Sequence, residues 1–160
     1  MTTGFATRGK CAAMTNSAGA IALGTMLNTS PELLQAVILE SPFVDVLNTM
    51  SDPHLPLTQH EYDEFGDPST PEGKRLVESI CPVTGVRSQG YPHMLISTGE
   101  TDNHVPKDGI ITYVNALRAN NTSGTKVVLW ENAYRNHLPD DAEVDKVRSI
   151  QMAFMAHFLC

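Results

Sequence analysis

A chain of 160 residues with 41% hydrophobic and 18% charged residues has the composition of one globular domain large enough to bury a core, and it is too apolar for a disordered segment. Its formal net charge of −7 argues against a nucleic-acid-binding surface and predicts repulsion from anionic membranes. No apolar run approaches a membrane span, Met1-Thr2-Thr3-Gly4 lacks a signal-peptide core, and Cys11, Cys81 and Cys160 show no zinc spacing, so the thiols read as reduced in a cytoplasmic compartment.

Residues 1–9 are small and polar around Phe5 and Ala6 and fit either the tail of a helix or a loop feeding the first strand, Cys11–Met14. Ser17 follows at a turn, and a helix begins with Ala18-Gly19-Ala20. Ala20, Ile21, Leu23, Gly24 and Leu27 cover about half of that helix, with Ala22 and Met26 filling much of the rest, so it is expected to be buried on most sides. Strand, sharp turn and helix in this order form the layout of a nucleophile elbow, where a serine is held on a strained turn above a sheet. Only half of the Gly-x-Ser-x-Gly signature is present: Gly19 stands two after the serine, but Thr15 stands two before it and implies crowding. Taken alone, the stretch also fits an ordinary turn serine or a helix cap.

Asn28-Thr29-Ser30-Pro31 stops the helix, and Ala36–Leu39 is a second buried strand closed by Ser41-Pro42. Residues 40–92 carry prolines at 42, 53, 56, 68, 71, 82 and 92 and no long periodic element, as in an excursion from one end of a sheet. Such a segment is expected to hold short helices and to cover a site. His54, His60, Glu61, Asp63 and Glu64 fit no single ligand face, so they read as a solvated acidic loop; no metal site and no cofactor are expected.

His93–Thr98 is a third buried strand, and the loop Gly99–Pro106 off its end contains Asp102. Pro106 opens a helix with Ile110, Val114 and Leu117 on one face, ended by Asn120–Gly124. Lys126–Trp130 is a fourth strand, and the polar loop after it contains His137. Asp140 and Glu143 stand at capping-box spacing before a last helix with Val144, Val147, Ile150, Phe154 and Phe158 on a stripe.

Short, wholly apolar strands alternating with helices predict an α/β fold with four mainly parallel strands covered by helices on both faces. Ligands meet such sheets at the loops leaving the carboxyl ends of the strands. Three of those loops hold Ser17, Asp102 and His137, in the chain order serine, acid, base that an α/β-hydrolase uses. In that reading His137 takes the serine proton, because imidazole titrates near neutrality, and Asp102 holds its tautomer. Asp102 also fits a helix-capping role, and Glu100 competes with it as the acid. His104 is too near Asp102 in sequence to reach the serine, and His157 lies late in the last helix.

These residues carry a family resemblance. Ser17-Ala18-Gly19, Ser30-Pro31-Glu32-Leu33, the block Pro42–Met50, Leu55-Pro56-Leu57-Thr58, Glu61–Pro68, Tyr91-Pro92 and the Asp102 and His137 loops resemble the prolyl oligopeptidase family over nearly the whole chain, the Pro42–Met50 block being the most specific. The oligopeptidase B branch is similar, and the prolyl-endopeptidase-like branch more so, on Val105-Pro106 followed by Gly109-Ile110 and on Asn136-His137 where peptidases usually have Gly-His. The resemblance implies the C-terminal half of an α/β-hydrolase domain, with Ser17 as nucleophile, Asp102 as acid, His137 as base and the Ala18 backbone N–H as an oxyanion donor. It implies a short peptide substrate, or an ester or thioester in the prolyl-endopeptidase-like branch, and neither metal nor nucleic acid. Thr15, Asn16 and Ala20 depart from the family's small and glycine residues around the serine. The resemblance further implies that residues 1–160 form a partial catalytic domain, without the family's β-propeller, the first half of the sheet and the tyrosine that completes the oxyanion hole. The strand Cys11–Met14 is then expected to be an open edge and a site of self-association.

Overall fold

Four strands line up in the order in which the chain makes them. The computed structural model describes residues 6–55 and 58–159. Among these residues β1 (Cys11–Asn16), β2 (Leu34–Glu40), β3 (His93–Gly99) and β4 (Val127–Tyr134) form one sheet of order β1-β2-β3-β4. Every neighbouring pair is parallel. Helix α1 (Gly19–Thr29) joins β1 to β2, and α5 (Lys107–Asn120) joins β3 to β4. The segment between β2 and β3 carries α2 (Val46–Met50), α3 (Tyr62–Phe65) and α4 (Pro71–Ile80), and α6 (Val144–Leu159) follows β4.

This order decides which face each helix covers. All three crossovers step the same way across the sheet, and right-handed crossovers then place α1 and α5 on one face. Ala20 and Leu27 of α1, and Ile110, Tyr113, Val114 and Leu117 of α5, pack in one cluster with Val37, Leu39, Met94 and Ile96 of the strands. The alternate residues point to the other face, where α6 lies over β1, β2 and β3. One row across that face reads Met14, Ile38, Leu95 and Val128 in register. Its central pair is 0% and 4% exposed, whereas Met14 and Val128 at the two edges are 39% and 41% exposed. A single helix covers the middle of the sheet and leaves its flanks in solvent.

The predicted strands all form, and β1 and β4 run further than expected, to Asn16 and Tyr134. Three expectations need correction. Helix α1 is fully buried only at Ala20, Gly24, Leu27 and Asn28, with Ala22 exposed, so it is buried along one face. In α6, Ile150 is exposed and the buried positions are Val147 and Gln151. The reason is Glu40, a buried carboxylate at the end of β2: Gln151 Nε2 donates to it at 2.6 Å and Arg148 Nη1 at 3.2 Å, so the helix turns a polar side chain inward to satisfy it. Residues 71–80 do form a periodic element, α4, with Pro71 at its start and the Thr70 hydroxyl accepting the Gly73 N–H at 3.0 Å.

Candidate active site

The turn after β1 is bonded on three sides. The Ser17 N–H donates to the Glu40 carbonyl at 3.0 Å, and its own carbonyl accepts from Ala20 N–H at 3.1 Å and from Phe43 N–H at 3.0 Å. These bonds hold Ser17 at φ +47°, in the left-handed region that a residue with a Cβ enters at a cost. The side chain is thereby lifted clear of the sheet at the N-terminal end of α1, where the helix dipole favours negative charge. A Cβ at Gly19 would stand 2.2 Å from the Thr15 Oγ1, so the crowding expected from Thr15 is real and glycine at 19 is what accommodates it.

The loops after β3 and β4 are bonded to one another, which brings Asp102 and His137 together from positions 35 residues apart. Glu100 N–H donates to the Tyr134 carbonyl at 2.8 Å, and the Thr101 N–H and hydroxyl both donate to the Arg135 carbonyl at 2.8 Å. Gly99 lets the Asn136 backbone pass, since a Cβ there would lie 1.8 Å from the Asn136 carbonyl oxygen. From the far side, Glu143 accepts the Arg135 N–H at 2.8 Å and the Asp140 N–H at 3.2 Å, while the Asp140 carboxylate accepts the Glu143 N–H at 3.1 Å. The expected capping box is formed, and its glutamate also fixes the histidine loop.

Ser17, His137 and Asp102 meet at the carboxyl end of the sheet. His137 Nε2 lies 2.9 Å from Ser17 Oγ, and His137 Nδ1 lies 2.8 Å from Asp102 Oδ2. The other oxygen, Asp102 Oδ1, accepts the His104 N–H at 2.9 Å and the Val105 N–H at 3.0 Å. Burial of this carboxyl works against its charge, but the bonds from His137, Val105 and His104 outweigh it and bring its pKa down to about 2. Asp102 is therefore ionised at neutral pH and holds the histidine by charge as well as by geometry.

A cavity of about 240 Å³ opens beside Ser17. Ala18, Phe43, Met50, Phe65 and Val105 give it apolar walls, and Glu61 is the acidic side chain among its lining. Phe43 and Phe65 meet edge to face with centroids 5.9 Å apart. Behind Phe43, Ser41 takes a second left-handed turn at φ +38°, and its hydroxyl lies 3.1 Å from the Tyr134 hydroxyl, which also lies 3.3 Å from Ser97 Oγ. Burial raises the Tyr134 pKa, so the phenol stays neutral in this buried group.

Ser17, Ala18, Asp102 and His137 thus come to one place, with Ala18 exposed on the cavity wall. Glu100, the rival acid, is exposed and outside the cavity lining. His104 does reach the site: its ring lies 5.0 Å from that of His137, and it lines the cavity. Sequence reasoning missed this because it asked only whether His104 could contact Ser17. The cavity residues Phe43, Met50, Thr58, Glu61 and Phe65 had no assigned role in the site; their local signals were the blocks Pro42–Met50, Leu55–Thr58 and Glu61–Pro68. Pro56 and Leu57, within another quoted block, lie outside the described residues.

A parallel α/β sheet with a serine on a strained strand-to-helix turn defines the α/β-hydrolase class of architecture. The sequence profile described as "Prolyl oligopeptidase family" matches residues 1–160, and the chain belongs to that family. It is 39% identical to "Prolyl endopeptidase-like" of Rattus norvegicus over 87% of this chain and 20% of that protein. "Dipeptidyl aminopeptidase BI" of Pseudoxanthomonas mexicana is 36% identical, over 84% of this chain and 18% of the relative. Among solved structures, oligopeptidase B from Trypanosoma brucei with covalently bound antipain superposes with a TM-score of 0.91 at 32% identity, covering 98% of this chain and 22% of that one. The chain spans about one fifth of the length of the curated relatives it matches.

Proposed function

We propose that residues 1–160 are part of a prolyl oligopeptidase catalytic domain and act as a serine hydrolase through an acyl-enzyme. The observation that carries this reading is His137, bonded through one nitrogen to Ser17 and through the other to an ionised Asp102. In the reaction Ser17 Oγ attacks the substrate carbonyl while His137 Nε2 takes its proton. The oxyanion forms against the Ala18 N–H at the head of α1. Collapse of the intermediate expels the amine, alcohol or thiol, which leaves with the proton from His137. Water then attacks the acyl-Ser17 ester, gives its proton to His137, and the acid product departs as that proton returns to Ser17. Asp102 stabilises the imidazolium in both halves and is not itself protonated. The apolar cavity with Glu61 in its wall offers a place for one side chain of a short peptide.

A second reading, hydrolysis of esters or thioesters in preference to peptides, is favoured by the Thr15 crowding under the elbow and by Asn136 beside His137. An amide leaves only when accurately protonated, whereas an activated ester tolerates a slightly displaced base. The cytoplasmic location is part of the proposal, and the free thiols of Cys11 and Cys81 accord with it. Among the described residues no helix is long and apolar enough to cross a membrane.

Labelling with a fluorophosphonate probe tests the proposal. The chain is expected to label on Ser17, and Ser17→Ala and His137→Ala to remove labelling. Labelling that survives in Ser17→Ala would place the reactive nucleophile elsewhere and overturn the assignment of Ser17, and no labelling of the folded wild type would favour a catalytically silent chain that acts by binding a partner. Matched ester and amide substrates then separate the two hydrolytic readings, with the ester expected to turn over faster.

A further inference from the structure

We propose that Asp102, His104 and His137 form an inhibitory site for a borderline divalent metal ion, Zn²⁺ in the first instance, at the mouth of the Ser17 cavity. One ligand atom from each of the three residues lies within 4.8 Å of the other two. The two imidazole rings face each other at a tilt of 37° with centroids 5.0 Å apart. Two histidines and one carboxylate, with the remaining side open to solvent, make the donor set of zinc sites that keep a free coordination position. Ligand atoms around a tetrahedral zinc stand roughly 3.3 Å apart, given bonds of about 2.0 Å, so the group must contract by up to roughly 1.5 Å. His104 can supply that movement. It is exposed, and its ring makes no hydrogen bond among the described residues.

The placement makes the metal a competitor of the serine. Asp102 faces His137 Nδ1, so a metal shared by these two residues sits on Nδ1 in place of the proton in the 2.8 Å bond between them. The displaced proton moves to Nε2, 2.9 Å from Ser17 Oγ, and that nitrogen can then no longer accept the Ser17 proton. Sequence spacing could not disclose the site, because Asp102 and His104 come from one loop and His137 from another. The metal site stands or falls independently of the hydrolase reading; only its inhibitory consequence rests on that reading.

The test is calorimetric titration of the 160-residue chain with zinc chloride, paired with labelling by the fluorophosphonate probe. One zinc per chain is expected. His104→Gln and His137→Gln should each weaken binding by at least about tenfold. Ser17→Ala and the double variant His54→Gln/His60→Gln should leave it unchanged, and circular dichroism checks that each variant is folded. Zinc should slow labelling of Ser17, a chelator should restore it, and His104→Gln should need at least about tenfold more zinc for the same slowing, each variant being referred to its own metal-free rate. No binding at millimolar zinc, or binding indifferent to His104, overturns the site. Binding that depends on His104 but leaves labelling undiminished overturns the inhibitory role. Absence of labelling in the metal-free wild type counts against the hydrolase reading and its inhibition together, and the titration still decides the metal site.

Discussion

At position 19 there is room for a hydrogen and little else, because Thr15 Oγ1 would stand 2.2 Å from a Cβ there. The backbone of Gly19 does not require positive φ, so the restriction is steric and should be relieved from the other side. Gly19→Ala is expected to destabilise the chain by about 1–3 kcal/mol, the usual range for overpacking, and to slow probe labelling of Ser17. In a Thr15→Ala background the same substitution should cost little. A double-mutant cycle on the unfolding midpoint measures the coupling, and additivity would disprove it. A second residue-scale expectation concerns His93. Its Nδ1 accepts the Lys126 N–H at 3.1 Å, and its ring stacks on Phe158 at 3.7 Å. Desolvation first, and then the charges of His157 and Lys126, push its pKa below the usual imidazole value of 6.5. The unfolded chain therefore binds this proton more readily than the folded one. The stability His93 contributes is present above pH 6.5 and is lost as pH falls through its lower folded pKa. A histidine NMR titration should place its midpoint below 6.5, with protection of the Lys126 amide lost over the same range; a midpoint at or above 6.5 contradicts the sign.

Among the elements, the histidine loop depends on a residue that touches neither Ser17 nor Asp102. Glu143 closes the capping box with Asp140 and also accepts the Arg135 N–H, two residues before His137. Glu143→Ala is expected to cost about 1 kcal/mol, the usual worth of a helix cap, and to lower the labelling rate several-fold by loosening His137. The melting temperature should fall by roughly 2–4 °C, as that loss implies for a chain of this size. An unchanged labelling rate with the lowered melting temperature would confine Glu143 to a capping role. This box was legible from sequence because both partners sit three residues apart in a local pattern. The strands were legible for a related reason: buried strands of a parallel sheet are apolar on both faces and stand out from their loops. What the sequence concealed was non-local. The buried Gln151 answers the Glu40 carboxylate 111 residues away, and no stripe rule placed it inward over Ile150. Helix α4 is periodic but only ten residues long with Val77 as its one buried large apolar side chain, and the prolines around it masked so short a pattern. The positions of Ser17, Asp102 and His137 were readable because each follows a strand. The cavity was not, because its walls come from Phe43, Thr58 and Phe65 across a segment whose folding only tertiary packing decides.

At the scale of the whole molecule the sheet ends in two edge strands: among the described residues β4 pairs only with β3, and β1 only with β2, in parallel register from Cys11 opposite Leu34 to Asn16 opposite Glu40. An unpaired parallel edge offers a row of N–H and C=O groups to another strand, and Met14 adds an apolar side chain that is 39% exposed. We therefore expect the 160-residue chain to associate through β1. The net charge of −7 opposes that association at long range, so it should strengthen as salt screens the repulsion. Sedimentation should show mass rising with concentration and ionic strength, and the amides of residues 11–16 should gain protection in the associated form. Met14→Lys places a charge on the edge and should shift the population toward monomer. Ser17 follows β1 directly, so whatever orders that strand also orders the turn that carries this serine, and the labelling rate per chain should climb with association and fall in Met14→Lys. A chain that stays monomeric at high salt with residues 11–16 fully protected would mean that this edge is already covered from within, and the dependence of labelling on concentration would vanish with it.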